Sequence, residues 1–207
     1  MNHQPSTIIF PSTNAVTQAI AQQLILLSKQ YIGKNHRFNL AISSDDISQL
    51  LLQTLASDIY QGQINWHKTH LFLTQENSDL SVTTNLNTNL TEHVDIPPQN
   101  LHLPHALKTD IKKSAASYQI KLIHHFGYNP PDFDLIIIHR SLLDQINDPN
   151  TVNNSNLLIT SNNSLHFSLK LIQNSHNLFI ITNPNTLPSP KNYSQLNQEN
   201  LSWFISK

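Results

Sequence analysis

The chain has no cysteine, three glycines among 207 residues, and a charged fraction of only 12%. Each scarcity excludes something. Without cysteine there are no disulfides, thiolate zinc sites or cysteine nucleophiles. The glycines are Gly33, Gly62 and Gly127, and none follows a candidate strand as a nucleotide-binding loop requires. No G-x-S-x-G nucleophile elbow occurs either. No apolar run approaches the roughly 20 residues that span a bilayer. Residues 1–10 lack a basic segment followed by a long apolar one, so no signal peptide is expected. The net charge is −1, with no basic stripe. Nucleic acid and anionic membranes, which need clustered Lys and Arg, are therefore not expected as partners. The chain reads as cytoplasmic.

What is present suits one hydrophobic core, and a single domain is expected over residues 1–207. Apolar residues make up 38% of the chain, so solubility rests on neutral polar groups. There are 25 asparagines, 13 of them between Asn150 and Asn200. Hydrophobic strands interrupt that run throughout, which separates it from a prion-like tract.

Short apolar runs alternate with longer amphipathic stretches. Residues 7–10 (TIIF) read as a strand. After Pro11, Ser12 or Thr13 can cap a helix whose apolar positions Ala15, Val16, Ala19, Ile20, Leu24 and Leu27 keep a helical period. Residues 37–43 (RFNLAIS) form the next strand. Asp45 and Asp46 suit a helix N-terminus, with Ile47, Leu50, Leu51 and Leu55 as its buried stripe. Residues 70–74 (HLFLT) are a third strand, followed by a polar segment to about Thr91. Residues 100–103 are short and extended, and residues 107–126 form the clearest helix, ended by Gly127. Residues 133–139 (FDLIIIH) are apolar enough for a central parallel strand covered on both faces. Residues 156–160 (NLLIT) and 178–182 (LFIIT) look similar, and residues 201–206 (LSWFIS) read as an edge strand. The alternation implies an α/β fold, one open and mostly parallel sheet flanked by helices. Ligands of such sheets sit beyond the carboxyl ends of the strands, here at the turns of residues 43–48, 74–81 and 139–148.

Three segments carry a resemblance. They are residues 65–74 (NWHKTHLFLT), residues 92–102 (EHVDIPPQNLH), and a long helix over 110–123 followed by the strand 133–138. Together they resemble the 6-phosphogluconolactonase family, whose fold is shared with glucosamine-6-phosphate isomerase. The resemblance implies hydrolysis of 6-phosphogluconolactone to 6-phosphogluconate in the pentose phosphate pathway, with no metal or organic cofactor.

The loops depart from the family one by one. Its Ser-Gly-Gly-Ser-Thr-Pro phosphate loop matches Ser43-Ser44-Asp45-Asp46-Ile47-Ser48, where both glycines are gone and two carboxylates face the place of the anion. Its Asp-Glu-Arg turn matches Gln75-Glu76-Asn77, which keeps only the glutamate. Its Gly-x-Gly-x-Asp-Gly-His segment matches residues 139–145, His139-Arg140-Ser141-Leu142-Leu143-Asp144-Gln145. The family's general-base histidine thus falls on Gln145, whose amide has no proton affinity near neutral pH. Residues 163–169 and 182–187, which match the family's later cationic segments, contain no arginine.

The expectation is a non-catalytic family member with a binding or interaction role, its partner a small sugar phosphate or another protein. The alternative is a working hydrolase, in which Asp144 would orient His139 as the catalytic pair. Ser43, Ser44, Glu76 and Arg140 are the candidate substrate-binding residues. The twelve histidines include two pairs three apart, His67 with His70 and His102 with His105. Both pairs straddle strand starts or a proline and lack an accompanying H-E-x-x-H motif, so no metal centre is expected. His124 and His125 close the long helix, where they would complement its carbonyl end.

Overall fold

The computed structural model describes residues 5–43, 46–104, 110–128, 130–146, 157–161, 163–183, 196 and 200–207. In chain order its strands and helices are β1 (Ser6–Phe10), α1 (Thr13–Asn35), β2 (Phe38–Ile42), α2 (Asp46–Ala56), β3 (Thr69–Leu73), β4 (Gln75–Asn77), α3 (Ser81–Leu86), β5 (Leu101–His102), α4 (Ile111–Phe126), β6 (Leu135–His139), α5 (Arg140–Ile146), β7 (Leu158–Ser161), β8 (Ser164–Phe167), α6 (Leu169–Gln173), β9 (Leu178–Thr182) and β10 (Leu201–Ser206). A π-helical turn, Asn87–Thr91, extends α3.

Seven strands form one sheet in the order β1-β10-β9-β6-β2-β3-β5. Every pairing in it is parallel. Parallel strands need covering on both faces, and the alternation along each strand supplies two apolar surfaces. Leu40, Ile42, Leu71, Leu73, Leu135 and Ile137 face α1 and α2. Ala41, Phe72, Ile136 and Ile138 face the layer that holds α4, α5 and α6. There Phe72, Phe126 and Phe167 surround Phe133 at ring-centroid distances of 5.1, 4.8 and 5.4 Å.

Local signals placed the helix ends well. Ser12 caps α1 by accepting from the Ala15 amide, and Asp110 caps α4 by accepting from the Lys113 amide. Gly127 closes α4 in the left-handed region at φ 74°, where a side chain is costly. That helix is expected from residue 107 but starts at Ile111, because Asp110 is its extended N-cap at φ −152°; residues 107–109 lie outside the described residues.

Two strand expectations need correction. The terminal strand β10 is interior, because β1 pairs along its whole length, from Ser6 opposite Ser202 to Phe10 opposite Ser206. The edge is β1, whose Ile8 and Ile9 face solvent. The apolar run at residues 156–160 does not join the main sheet as a central parallel strand. Its described part belongs to β7, which pairs antiparallel with β8, and β8 with β4, in a separate three-stranded sheet. Leu158 is apolar because it packs against the α4-facing core.

At the opposite edge β5 has only two residues in register with Leu71 and Phe72. Where it stops, the buried phenol of Tyr118 takes its place, donating to the Leu73 carbonyl at 3.0 Å and accepting from the Leu73 amide at 3.2 Å. That satisfies both backbone groups that a longer strand would have paired.

Candidate functional site

The strand order reverses between β2 and β6. The chain moves outward from β2 through β3 to β5, then returns to β6 and continues through β9 to β10. In open parallel sheets the ligand crevice lies beyond the carboxyl ends of the two strands at this reversal. Here those ends are Ser43, just after β2, and His139, the last residue of β6.

Ser43 is fully buried and ties the two strand ends together. Its amide donates to the Ile137 carbonyl at 2.9 Å, and its hydroxyl accepts from the His139 amide at 3.2 Å. The same hydroxyl lies 3.1 Å from the Ser48 hydroxyl. Ser44 and Asp45 lie outside the described residues, and α2 begins at Asp46. At the end of β3, Thr74 is buried, its Oγ1 without a hydrogen-bond partner.

His139 does not pair with Asp144 as expected. Its Nδ1 accepts from the Ser141 amide at 3.2 Å and lies 2.8 Å from the Ser141 hydroxyl. Asp144 instead meets Arg140, carboxylate to Nε at 3.3 Å, because both stand on α5 at the i, i+4 spacing that brings side chains together. Arg140 keeps only 14% of its side chain exposed beside that carboxylate. The one cation expected to greet an anion is therefore largely covered and neutralised within its own helix.

Glu76 sits one residue into β4 and is fully buried. Its carboxylate is engaged by the start of α3. It accepts from the amides of Asn77, Val82 and Thr83 at 2.8, 3.1 and 2.9 Å, and from the Thr83 hydroxyl. The residue before that helix is Leu80, left-handed at φ 60° and with no side chain able to cap. Asp79 takes the Ser81 amide at 3.0 Å, and the Leu80 amide donates to the Asn77 carbonyl at 3.0 Å. The four amides that begin any helix without internal partners are thereby all satisfied.

The histidines group differently from their sequence spacing. His67 meets Asp95 at the surface, 2.9 Å apart, while His70 turns inward. His105 lies outside the described residues. His70 of β3, His102 of β5 and His125 of α4 come together on the α4 side of the sheet. His125 therefore does not serve as a cation at the helix end. Burial, with His102 beside it, pushes its pKa down to about 3, so it stands there neutral. Sequence reasoning missed this cluster because its members lie on three elements and share no spacing.

A second polar feature lies at the opposite, amino-terminal ends of the strands. Asn35, Arg37, Asn39, Tyr128, Asp132, Asp134 and His176 line a cleft of about 410 Å³. Asp132 meets His176 at 3.1 Å. Asp134 accepts from the Asn39 amide at 2.7 Å, yet burial raises its pKa to about 6.

An open parallel sheet with its order reversed beside β2, crevice above and helices on both faces, defines the class. The particular family is equally plain. The chain belongs to the family of glucosamine-6-phosphate isomerases/6-phosphogluconolactonase, whose model matches residues 11–139. That match ends at the last residue of β6, just before α5. Among solved structures, 6-phosphogluconolactonase from Thermotoga maritima is 17% identical with a TM-score of 0.81, covering 99% of this chain and 100% of that one. The 6-phosphogluconolactonase from Trypanosoma cruzi is 12% identical with a TM-score of 0.79, covering 100% and 96%. A monomeric glucosamine-6-phosphate deaminase is 12% identical with a TM-score of 0.76, covering 98% and 97%. At such identities the likeness establishes the fold. No curated protein matches the chain in sequence. No helix among the described residues is long and apolar enough to cross a membrane.

Proposed function

We propose that this chain is a non-catalytic member of the family, a cytoplasmic protein that keeps the fold for binding or interaction and no longer hydrolyses the lactone. The observation that carries the reading is the segment after β6. Gln145 stands where the resemblance places the general base, and it cannot take a proton from water near neutral pH. His139 does not substitute for it. The lone pair a base would use is turned into the Ser141 turn, where the serine amide donates to it.

The phosphate side supports the same reading. A sugar phosphate needs convergent donors and cations to replace its water. Ser43 holds the strand ends together, Glu76 caps α3, and Arg140 is paired with Asp144. Among the described candidates, Ser43, Glu76 and Arg140 each have a structural partner.

The test is a calorimetric titration with 6-phosphogluconate and with glucose 6-phosphate. Both are expected to bind no tighter than millimolar. Micromolar binding that disappears in Arg140→Ala would overturn the reading and restore a sugar phosphate as the ligand.

A further inference from the structure

The three inward-turned histidines stand apart from the crevice. His70 is four residues before Thr74 along β3, about 13 Å at the usual rise of a strand. Their rings pack face and edge, with centroids 5.2 Å apart for His70 and His102, 4.7 Å for His70 and His125, and 4.4 Å for His102 and His125. Phe72 stacks on His102 at 4.3 Å and forms a hydrophobic floor. One ring nitrogen from each histidine lies within 4.8 Å of the others, and all three side chains are half-buried.

Two details go beyond proximity. His70 Nδ1 faces His102 Nε2 at 3.0 Å. Two ligands of a tetrahedral zinc ion, each about 2.0–2.1 Å from it, stand about 3.3 Å apart, so that pair is already close to ligand spacing. The third ring is oriented from behind. His125 Nε2 lies 2.9 Å from the Asn39 side-chain oxygen. That oxygen only accepts, so Nε2 carries the proton and Nδ1 keeps its lone pair. Metal-ligating histidines are commonly held this way, the second ring N–H donated to a fixed oxygen. Burial lowers the pKa of all three rings, so they are neutral near pH 7 and no proton competes for their lone pairs.

We propose that His70, His102 and His125 bind one divalent transition-metal ion of the zinc class, as three imidazole ligands with a fourth position open to water. Borderline imidazole donors select zinc, cobalt, nickel or copper over magnesium and calcium. The ion replaces the hydrogen bond between His70 and His102, the ring that donates in it shifting its proton to its other nitrogen, and joins β3, β5 and α4. Arg37, Lys121 and His124 act on these rings as positive neighbours. Their repulsion sets the expected affinity at micromolar rather than at the far tighter values of all-thiolate sites. The inference does not depend on the lost lactonase chemistry.

The test uses metal-free protein without a histidine tag. Zinc is titrated against a chelating dye, cobalt binding is read as visible ligand-field absorption, and thermal unfolding is followed with and without zinc. One equivalent should bind with a Kd near micromolar and raise the melting temperature. His102→Ala and His125→Ala should each weaken binding at least tenfold. Asn39→Ala, which removes the orienting carboxamide and leaves all three ligands, should weaken it about tenfold. His67→Ala should leave it unchanged, and His124→Ala, which removes a positive neighbour, should not weaken it. If either alanine variant fails to fold by circular dichroism, His125→Gln replaces it and should show the same loss. A Kd weaker than about 100 μM, or binding that persists unchanged in the folded His125 variant, would overturn the proposal.

Discussion

Glu76→Ala is the substitution whose cost the structure defines most fully. The carboxylate is buried and accepts four hydrogen bonds, from the Asn77, Val82 and Thr83 amides and the Thr83 hydroxyl. Hydrogen bonds to a charged group contribute about 1.5–3 kcal/mol each, while a buried donor left unmade costs about 1–3 kcal/mol. The Val82 amide is buried and has no water to turn to, and the Thr83 hydroxyl can rotate to another acceptor. The exposed Asn77 can turn its amide to water, so two orphaned amides, those of Val82 and Thr83, plus the lost side-chain packing give about 3–5 kcal/mol. Glu76→Gln keeps the shape and one acceptor oxygen but points an NH₂ at a backbone N–H, and about 2 kcal/mol is expected. Urea unfolding followed by far-ultraviolet circular dichroism gives both values, and hydrogen exchange at Val82 and Thr83 should quicken in both variants. A loss below about 1 kcal/mol for Glu76→Ala, or a Gln variant worse than Ala, would refute the argument. The outcome bears on function too, since a glutamate kept to cap α3 says nothing about substrate.

Tyr118→Phe removes the hydroxyl that completes the Leu73 backbone pairing and is expected to cost about 1–3 kcal/mol in the same measurement; no loss would mean that water satisfies Leu73 instead. Asp134 predicts a pH dependence. Its folded pKa of about 6 lies above the ordinary carboxylate value of 3.8, so folding binds its proton more tightly. Its contribution is present below about pH 4 and is lost as pH rises through 6, by about 3 kcal/mol at ~1.4 kcal/mol per pH unit. Asp132 and His176 lie beside it and act on its charge, so the clean comparison is with Asp134→Asn. That variant should gain on wild type between pH 4.5 and 8, and parallel stability profiles would contradict the assignment.

How far the sequence could be read depended on whether a signal was local. The apolar runs of β2, β6 and β9, the Ser12 cap and the Gly127 stop are local, and the structure has them where their chemistry put them. Pairing is not local. Nothing within LSWFIS reveals that β1 will cover it, and Leu157 and Leu158 are apolar for a core beside a second, antiparallel sheet. β4 is written in three polar residues, Gln75, Glu76 and Asn77, which carry no strand period at all. The candidate site divides the same way. The replacement at Gln145 is visible in one line of sequence, whereas the capture of Arg140 by Asp144 and of His139 by Ser141 needed the geometry of α5. The histidine cluster lay furthest from view, because it joins positions 70, 102 and 125 through tertiary contact alone.

Lactone hydrolysis itself decides whether the sheet of this family has been kept while its hydrolytic chemistry has gone. Purified protein is added to freshly generated 6-phosphogluconolactone with an excess of 6-phosphogluconate dehydrogenase, and the appearance of reduced cofactor is followed. A positioned general base contributes roughly 10²–10⁴-fold, and an organised anion site often more, so losing both should leave nothing above the uncatalysed reaction. The expected rate equals spontaneous hydrolysis at every protein concentration. A turnover number above about 1 s⁻¹, within the ordinary range of enzymes, would contradict it.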